Sequence, residues 1–131
     1  MTRGLFDLTG KVALLTGASK GMGRAMAEAL AMHGAQVMLS SRKLDQCEIA
    51  AAAINERCGE VRAHAFACNA GYKEQLQALV DATHERLGPV DVLIGNAGVN
   101  PAYGPMSAIS DDAFDKIMST NVKANHWLVQ M

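Results

Sequence analysis

Thr16-Gly17-Ala18-Ser19-Lys20-Gly21-Met22-Gly23 is the stretch on which the fold turns. Before it stands an apolar run, Val12-Ala13-Leu14-Leu15; after it Met22, Ala25, Met26, Ala29 and Leu30 recur at helical spacing. A strand must therefore turn sharply into a helix here. Glycine permits the backbone angles of such a turn, but three glycines within seven residues exceed what a bare β-α turn needs. Their missing side chains leave room for an anion against the helix N-terminus, where free N–H groups and the helix dipole favour negative charge. A diphosphate is thus expected against Gly17, Ser19, Lys20, Gly21, Met22 and Gly23. The bland alternative is a tight turn with no ligand.

Working outward, strand-like and helix-like segments alternate. Residues 11–16 read as the first strand and 22–33 as the first helix, with Gly34 as its stop. Residues 36–40 carry Val37, Met38 and Leu39, a second buried strand. A second helix shows Leu44, Cys47, Ala51 and Ile54 on one face and Gly59 past its end. Residues 61–67 form a weaker third strand, and Leu76, Leu79, Val80, Thr83 and Leu87 mark a third helix closed by Gly88-Pro89. Residues 91–95 are a fourth strand, and a last helix runs from about Asp111 with Ser110 as N-cap. Short strands that are apolar throughout and separated by helices imply a parallel sheet covered on both faces.

The end of the second strand selects the nucleotide. An acidic residue there binds the ribose 2′-OH of NAD, whereas a basic one accommodates the 2′-phosphate of NADP. This chain offers Ser40-Ser41-Arg42-Lys43, with no carboxylate before Asp45. Arg42 can grip a phosphate bidentately, Lys43 adds a point charge, and Ser41 stands beside them. NADP(H) is therefore favoured over NAD(H). The competing view is that these are solvated charges opening a helix, a place where cations oppose the macrodipole.

The spacing T-G-x-x-x-G-x-G resembles that of the short-chain dehydrogenase/reductase family, and the resemblance extends over essentially the whole chain. Asn96-Ala97-Gly98 matches the last three residues of the family's N-N-A-G motif, with Gly95 in place of the first Asn. Lys20 falls where NADP-dependent members are often basic. Asn69 falls where the family usually has an Asp beside adenine, and an amide there can still accept a bond from the adenine amino group. Ser40-Ser41-Arg42-Lys43 and Val99-Asn100-Pro101 look similar to a carbonyl-reductase branch of the family. The implied fold is α/β, a Rossmann-type doubly wound parallel sheet, forming a single, incomplete domain over residues 1–131 that ends after the fourth strand and its helix. The implied activity is hydride transfer between NADP(H) and a small carbonyl or alcohol substrate.

Projected at 100° per residue, the last helix carries a stripe of Phe114, Ile117, Met118, Val122, Leu128 and Val129. Asn121 and Asn125 fall within that stripe. A buried amide without partners costs about 1–3 kcal/mol, so each should have a bond or a task. The resemblance places Asn121 at the family's catalytic Asn, which helps hold a proton-relaying water; the alternative is a core amide tied to backbone carbonyls. Asn125 matches no family position with a role. The family's catalytic Ser and Tyr-x-x-x-Lys are not found: Leu76 stands four residues after Tyr72, and Ser107 four after Tyr103. The chain is accordingly expected to be the cofactor-binding front of a longer enzyme and inactive alone, with an open sheet edge and an uncovered apolar helix face. Self-association through that region is expected.

Composition narrows the classes. Of 131 residues half are hydrophobic and 19% charged, enough for one core. A formal charge of −1 argues against nucleic acid or a membrane surface as partner. No apolar run approaches the ~20 residues of a bilayer span, and Arg3 and Asp7 interrupt the stretch where a signal peptide would be apolar. Cys47, Cys58 and Cys68 form no C-x-x-C pair, which suits packing in a reducing, cytoplasmic compartment. His33 reads as a helix end, while His64, His84 and His126 lack partners at metal or catalytic spacing, so no metal is expected. Trp127 and the eight methionines read as core or interface. Two other functions compete: a non-catalytic NADP-binding redox sensor, and a methyltransferase on a similar fold, against which Arg42 speaks.

Overall fold

The computed structural model describes residues 4–131; Arg3, used above in reading the N-terminus, lies outside them. Four strands, β1 (Val12–Thr16), β2 (Gln36–Ser41), β3 (Ala63–Ala67) and β4 (Val92–Ile94), alternate with helices α1 (Gly21–Met32), α2 (Leu44–Cys58) and α3 (Lys73–Leu87). The strands form one sheet in the order β3-β2-β1-β4, and every pairing is parallel. Leu14 registers with Met38 on one side and Leu93 on the other, so β1 is the central strand of the reversal. That order bears out both the parallel sheet expected from the apolar runs and the doubly wound topology that the family resemblance implies.

Alternate side chains of each strand point to opposite faces, and two core layers result. Ala13, Leu15, Val37 and Leu39 pack with Ala27 and Ala31 of α1 and Ile54 of α2. Leu14 and Met38 pack on the other face with Leu76, Leu79 and Val80 of α3 and with Leu128. Cys47 and Cys68 are buried thiols within or beside these layers, and all three cysteines are free. His33 caps α1 and bonds the Ala29 carbonyl through Nδ1 at 2.8 Å. Trp127 is partly buried under the ammonium groups of Lys73 and Lys123, 5.7 and 5.1 Å from its ring.

Two expectations need correction. The third strand begins at Ala63, not residue 61, because the Asn55 side chain takes the place of a strand partner. Its Oδ1 accepts the Arg62 and Ala63 amides at 2.8 and 2.7 Å, and its Nδ2 donates to the Ala63 carbonyl at 2.9 Å. The last helix runs from Asp111 as expected, but not with one constant period. Ser110 does cap it, its Oγ accepting from the Ala113 amide at 3.2 Å, but α4 (Asp111–Met118) passes into a π turn, Ser119–Lys123, before α5 (Ala124–Gln130). The wider π turn rotates everything after it. The buried line is Thr120, Ala124 and Leu128; of the expected stripe Leu128 is buried, while Phe114, Met118, Val122 and Val129 are exposed.

Candidate nucleotide-binding site

At the end of β1 the buried Thr16 hydroxyl accepts two backbone amides from beyond β4, those of Asn96 and Ala97, each at 3.1 Å. The Ala18 amide donates to the Ser40 carbonyl at 2.9 Å, tying the turn to β2. Gly17 and Gly21 sit at φ +61° and +60°, the left-handed region that glycine enters without strain. Their surroundings differ. A Cβ on Gly17 would come within 2.9 Å of the Ala97 Cα, and one on Gly23 within 2.7 Å of the Asn96 Nδ2 and 2.9 Å of the Ala18 Cα. A Cβ on Gly21 would meet nothing within 4 Å, because that glycine opens onto a cavity. Lys20 precedes α1 without any side-chain cap, so the first-turn amides are left for an anion.

The cavity, of about 530 Å³, runs along the carboxyl ends of the strands, the place where open α/β sheets bind ligands. Gly17, Ser19, Lys20, Gly21, Ser41, Arg42, Lys43, Asn69, Asn96, Ala97 and Gly98 all line it. Met22 does not: its side chain is 78% exposed on the outer surface of α1. Gly23 is buried behind the turn and lets α1 approach it closely. Asn96 reaches the cavity, but its Nδ2 is spent on the Gly17 carbonyl at 3.0 Å, steadying the turn from behind. Asn121 is not a lining residue. Its Oδ1 accepts the Val99 amide at 2.7 Å and its Nδ2 donates to the Val99 carbonyl at 2.9 Å, so it clamps the loop that follows Gly98.

Among the described residues four cations line the cavity, Lys20, Arg42, Lys43 and Lys116, and no carboxylate does. Arg42 and Lys43 are placed by Ser41, whose Oγ accepts the Lys43 amide at 3.3 Å and lies 3.2 Å from the Lys43 carbonyl. The same Oγ lies 3.1 Å from the Cys47 Sγ. Burial raises the Cys47 thiol, and it pushes Cys68 up to about 11 against an opposing bond to Ser40. Both thiols stay protonated at neutral pH and serve as packing beneath the site. The Asn69 Oδ1 accepts the Gly71 amide at 3.0 Å, leaving one of its two lone pairs for another donor.

Lys116 and Thr120 also line the cavity, and sequence reasoning missed both. They are four residues apart and so share a helix face; the signal was a buried hydroxyl one turn from a cation, hidden by the apolar stripe drawn through the same helix.

Comparison with known proteins agrees with this fold. The family model described as short chain dehydrogenase matches residues 11–131. Dehydrogenase/reductase SDR family member 4 of Caenorhabditis elegans is 34% identical over 122 residues, which are 93% of this chain and 46% of that protein. The structure of L-sorbose reductase from Gluconobacter frateurii, complexed with NADPH and L-sorbose, superposes with a TM-score of 0.89 at 30% identity, covering 95% of this chain and 47% of the other. That of 3-ketoacyl-(acyl-carrier-protein) reductase from Brucella melitensis, complexed with NADH, gives 0.86 at 31% identity over 95% and 49%. The chain thus spans about half the length of the relatives it matches.

Proposed function

The chain belongs to the short-chain dehydrogenase family, and from that premise we propose that it is the NADP(H)-binding portion of an oxidoreductase acting on a small carbonyl or alcohol substrate. The observation that carries the cofactor choice is the cationic rim: Arg42 and Lys43 follow β2 directly, and no lining carboxylate opposes a 2′-phosphate. The residues present fit the cofactor. Gly21 leaves open space before an uncapped helix start, and the cavity has the size of a ligand cleft. Lys20 and the first-turn amides would hold the diphosphate, Arg42 and Lys43 the 2′-phosphate, and Asn69 with Thr120 the adenine end. Ala97 and Gly98 would lie along the ribose. When bound, the nicotinamide supplies hydride chemistry.

Asn121 acts in this reading by holding Val99, and through it the wall of the cleft. Neither tyrosine has a lysine four residues on, so the 131-residue chain binds cofactor without turnover. Free thiols fit a cytoplasmic location, and among the described residues no helix is long and apolar enough to cross a membrane.

The test is titration of NADPH and NADH into the chain and into Arg42→Asp. NADPH is expected to bind about 10- to 100-fold more tightly than NADH, the range of one or two charge-assisted bonds. Arg42→Asp should erase that preference and leave NADH binding little changed. Equal affinities in the unaltered chain would overturn the cofactor assignment.

A further inference from the structure

Asn125 is the polar residue for which neither motif nor spacing supplies a purpose, yet its surroundings are specific. Its Nδ2 donates to the Asn121 carbonyl at 3.1 Å. Its carboxamide rests on Gly95, where an added Cβ would overlap Oδ1 and stand only 2.8 Å from Cγ. Gly95 is not among the glycines with positive φ. Backbone conformation therefore does not demand glycine at 95; the volume of the Asn125 amide does.

The place of the bond matters as much. Asn121 lies inside the π turn Ser119–Lys123, where the ordinary helical pairing is interrupted. The Asn125 side chain donates to a carbonyl of that turn and so ties it to the helix that follows. Asn121 in turn holds both backbone polar groups of Val99, and Ala97, Gly98 and Val99 form one wall of the cavity. Three contacts thus lead from Gly95 at the open sheet edge to the cleft.

We infer that Asn125 is a positioning residue for nucleotide binding: seated on Gly95 and bonded to the Asn121 carbonyl, it fixes the Asn121 clamp on Val99. This role rests on the nucleotide-binding function proposed above. Asn125→Leu keeps the side-chain bulk and removes the donor. In the 131-residue chain it should weaken NADPH binding by about 2- to 10-fold, the worth of one hydrogen bond. It should also speed hydrogen exchange at the Val99 amide while Leu14 and Leu39 keep their protection. Gly95→Ala should weaken binding by displacing the amide. Combined with Asn125→Ala it should do no further harm than Asn125→Ala alone, a non-additivity expected only of residues in contact.

Undiminished NADPH binding by Asn125→Leu, or strictly additive effects of Gly95→Ala and Asn125→Ala, would overturn the role of Asn125. If Asn125→Leu does not fold, Asn125→Ala takes its place in both measurements. Failure of the unaltered chain to bind NADPH would overturn the nucleotide-binding function itself, a result separable from the other two.

Discussion

Gly17, Gly21 and Gly23 are chemically identical, yet the β1–α1 turn uses them differently. Gly17 and Gly23 let backbone approach backbone, whereas Gly21 keeps the front of the helix open. Gly23→Ala should therefore lower stability by about 1–3 kcal/mol, the usual cost of overpacking. Gly21→Ala meets no neighbour and should cost only the left-handed backbone penalty of about 1 kcal/mol, but a methyl group in the cleft should reduce NADPH affinity severalfold. Thermal unfolding run beside nucleotide titration checks both; equal losses of stability would contradict the division. The sequence marked this turn as special, and Gly17, Ser19, Lys20 and Gly21 of the set read from it do line the cavity. It could not show that Met22 faces outward or that Asn96 and Asn121 spend their amides on backbone. Those outcomes depend on which carbonyls the fold brings near, 79 residues apart for Asn96 and Gly17.

Among the elements, strands were legible from unbroken apolar runs, because both faces of the sheet are covered. The exceptions have local causes. Asn55 displaces the first residues of the third strand, and a π turn breaks a helix whose projection assumed one constant period. The start of β1 shows a further device. The Asp91 Oδ2 accepts the Val12 amide at 2.8 Å, and its Oδ1 lies 3.5 Å from the Lys11 Nζ. The Val12 bond chiefly, with Lys11 helping, holds the Asp91 carboxyl below its usual range. A lowered pKa means stability that is present above the unfolded value and lost as pH falls through the folded one. Asp91→Asn should thus be less stable than the parent at about pH 7, and the gap should close by about pH 2. Urea unfolding at the two pH values measures it; a gap unchanged in acid would rule out the carboxylate as its cause.

On the scale of the whole molecule, β4 pairs among the described residues on one side only, with β1. Phe114, Met118, Val122 and Val129 leave an apolar face exposed on the closing helices, and such patches favour association. Sedimentation at micromolar concentration should show a dimer or larger species, and Phe114→Glu with Val129→Glu should shift it to monomer while NADPH still binds. A monomeric unaltered chain would refute this. Exposure of that face was expected from the family resemblance, whereas its exact composition was not, since Leu128 of the expected stripe is buried. The pairing of β1 with β4 also bears on the order in which the site is built. Thr16 meets the Asn96 amide across 80 residues of chain. As the polypeptide leaves the ribosome, the first βαβ unit can form while the rear support of its glycine turn is still unsynthesised. Only when the segment after β4 emerges do the Thr16 hydroxyl and the Gly17 carbonyl find their partners, so a nascent chain acquires the shape of the turn well before it acquires the grip.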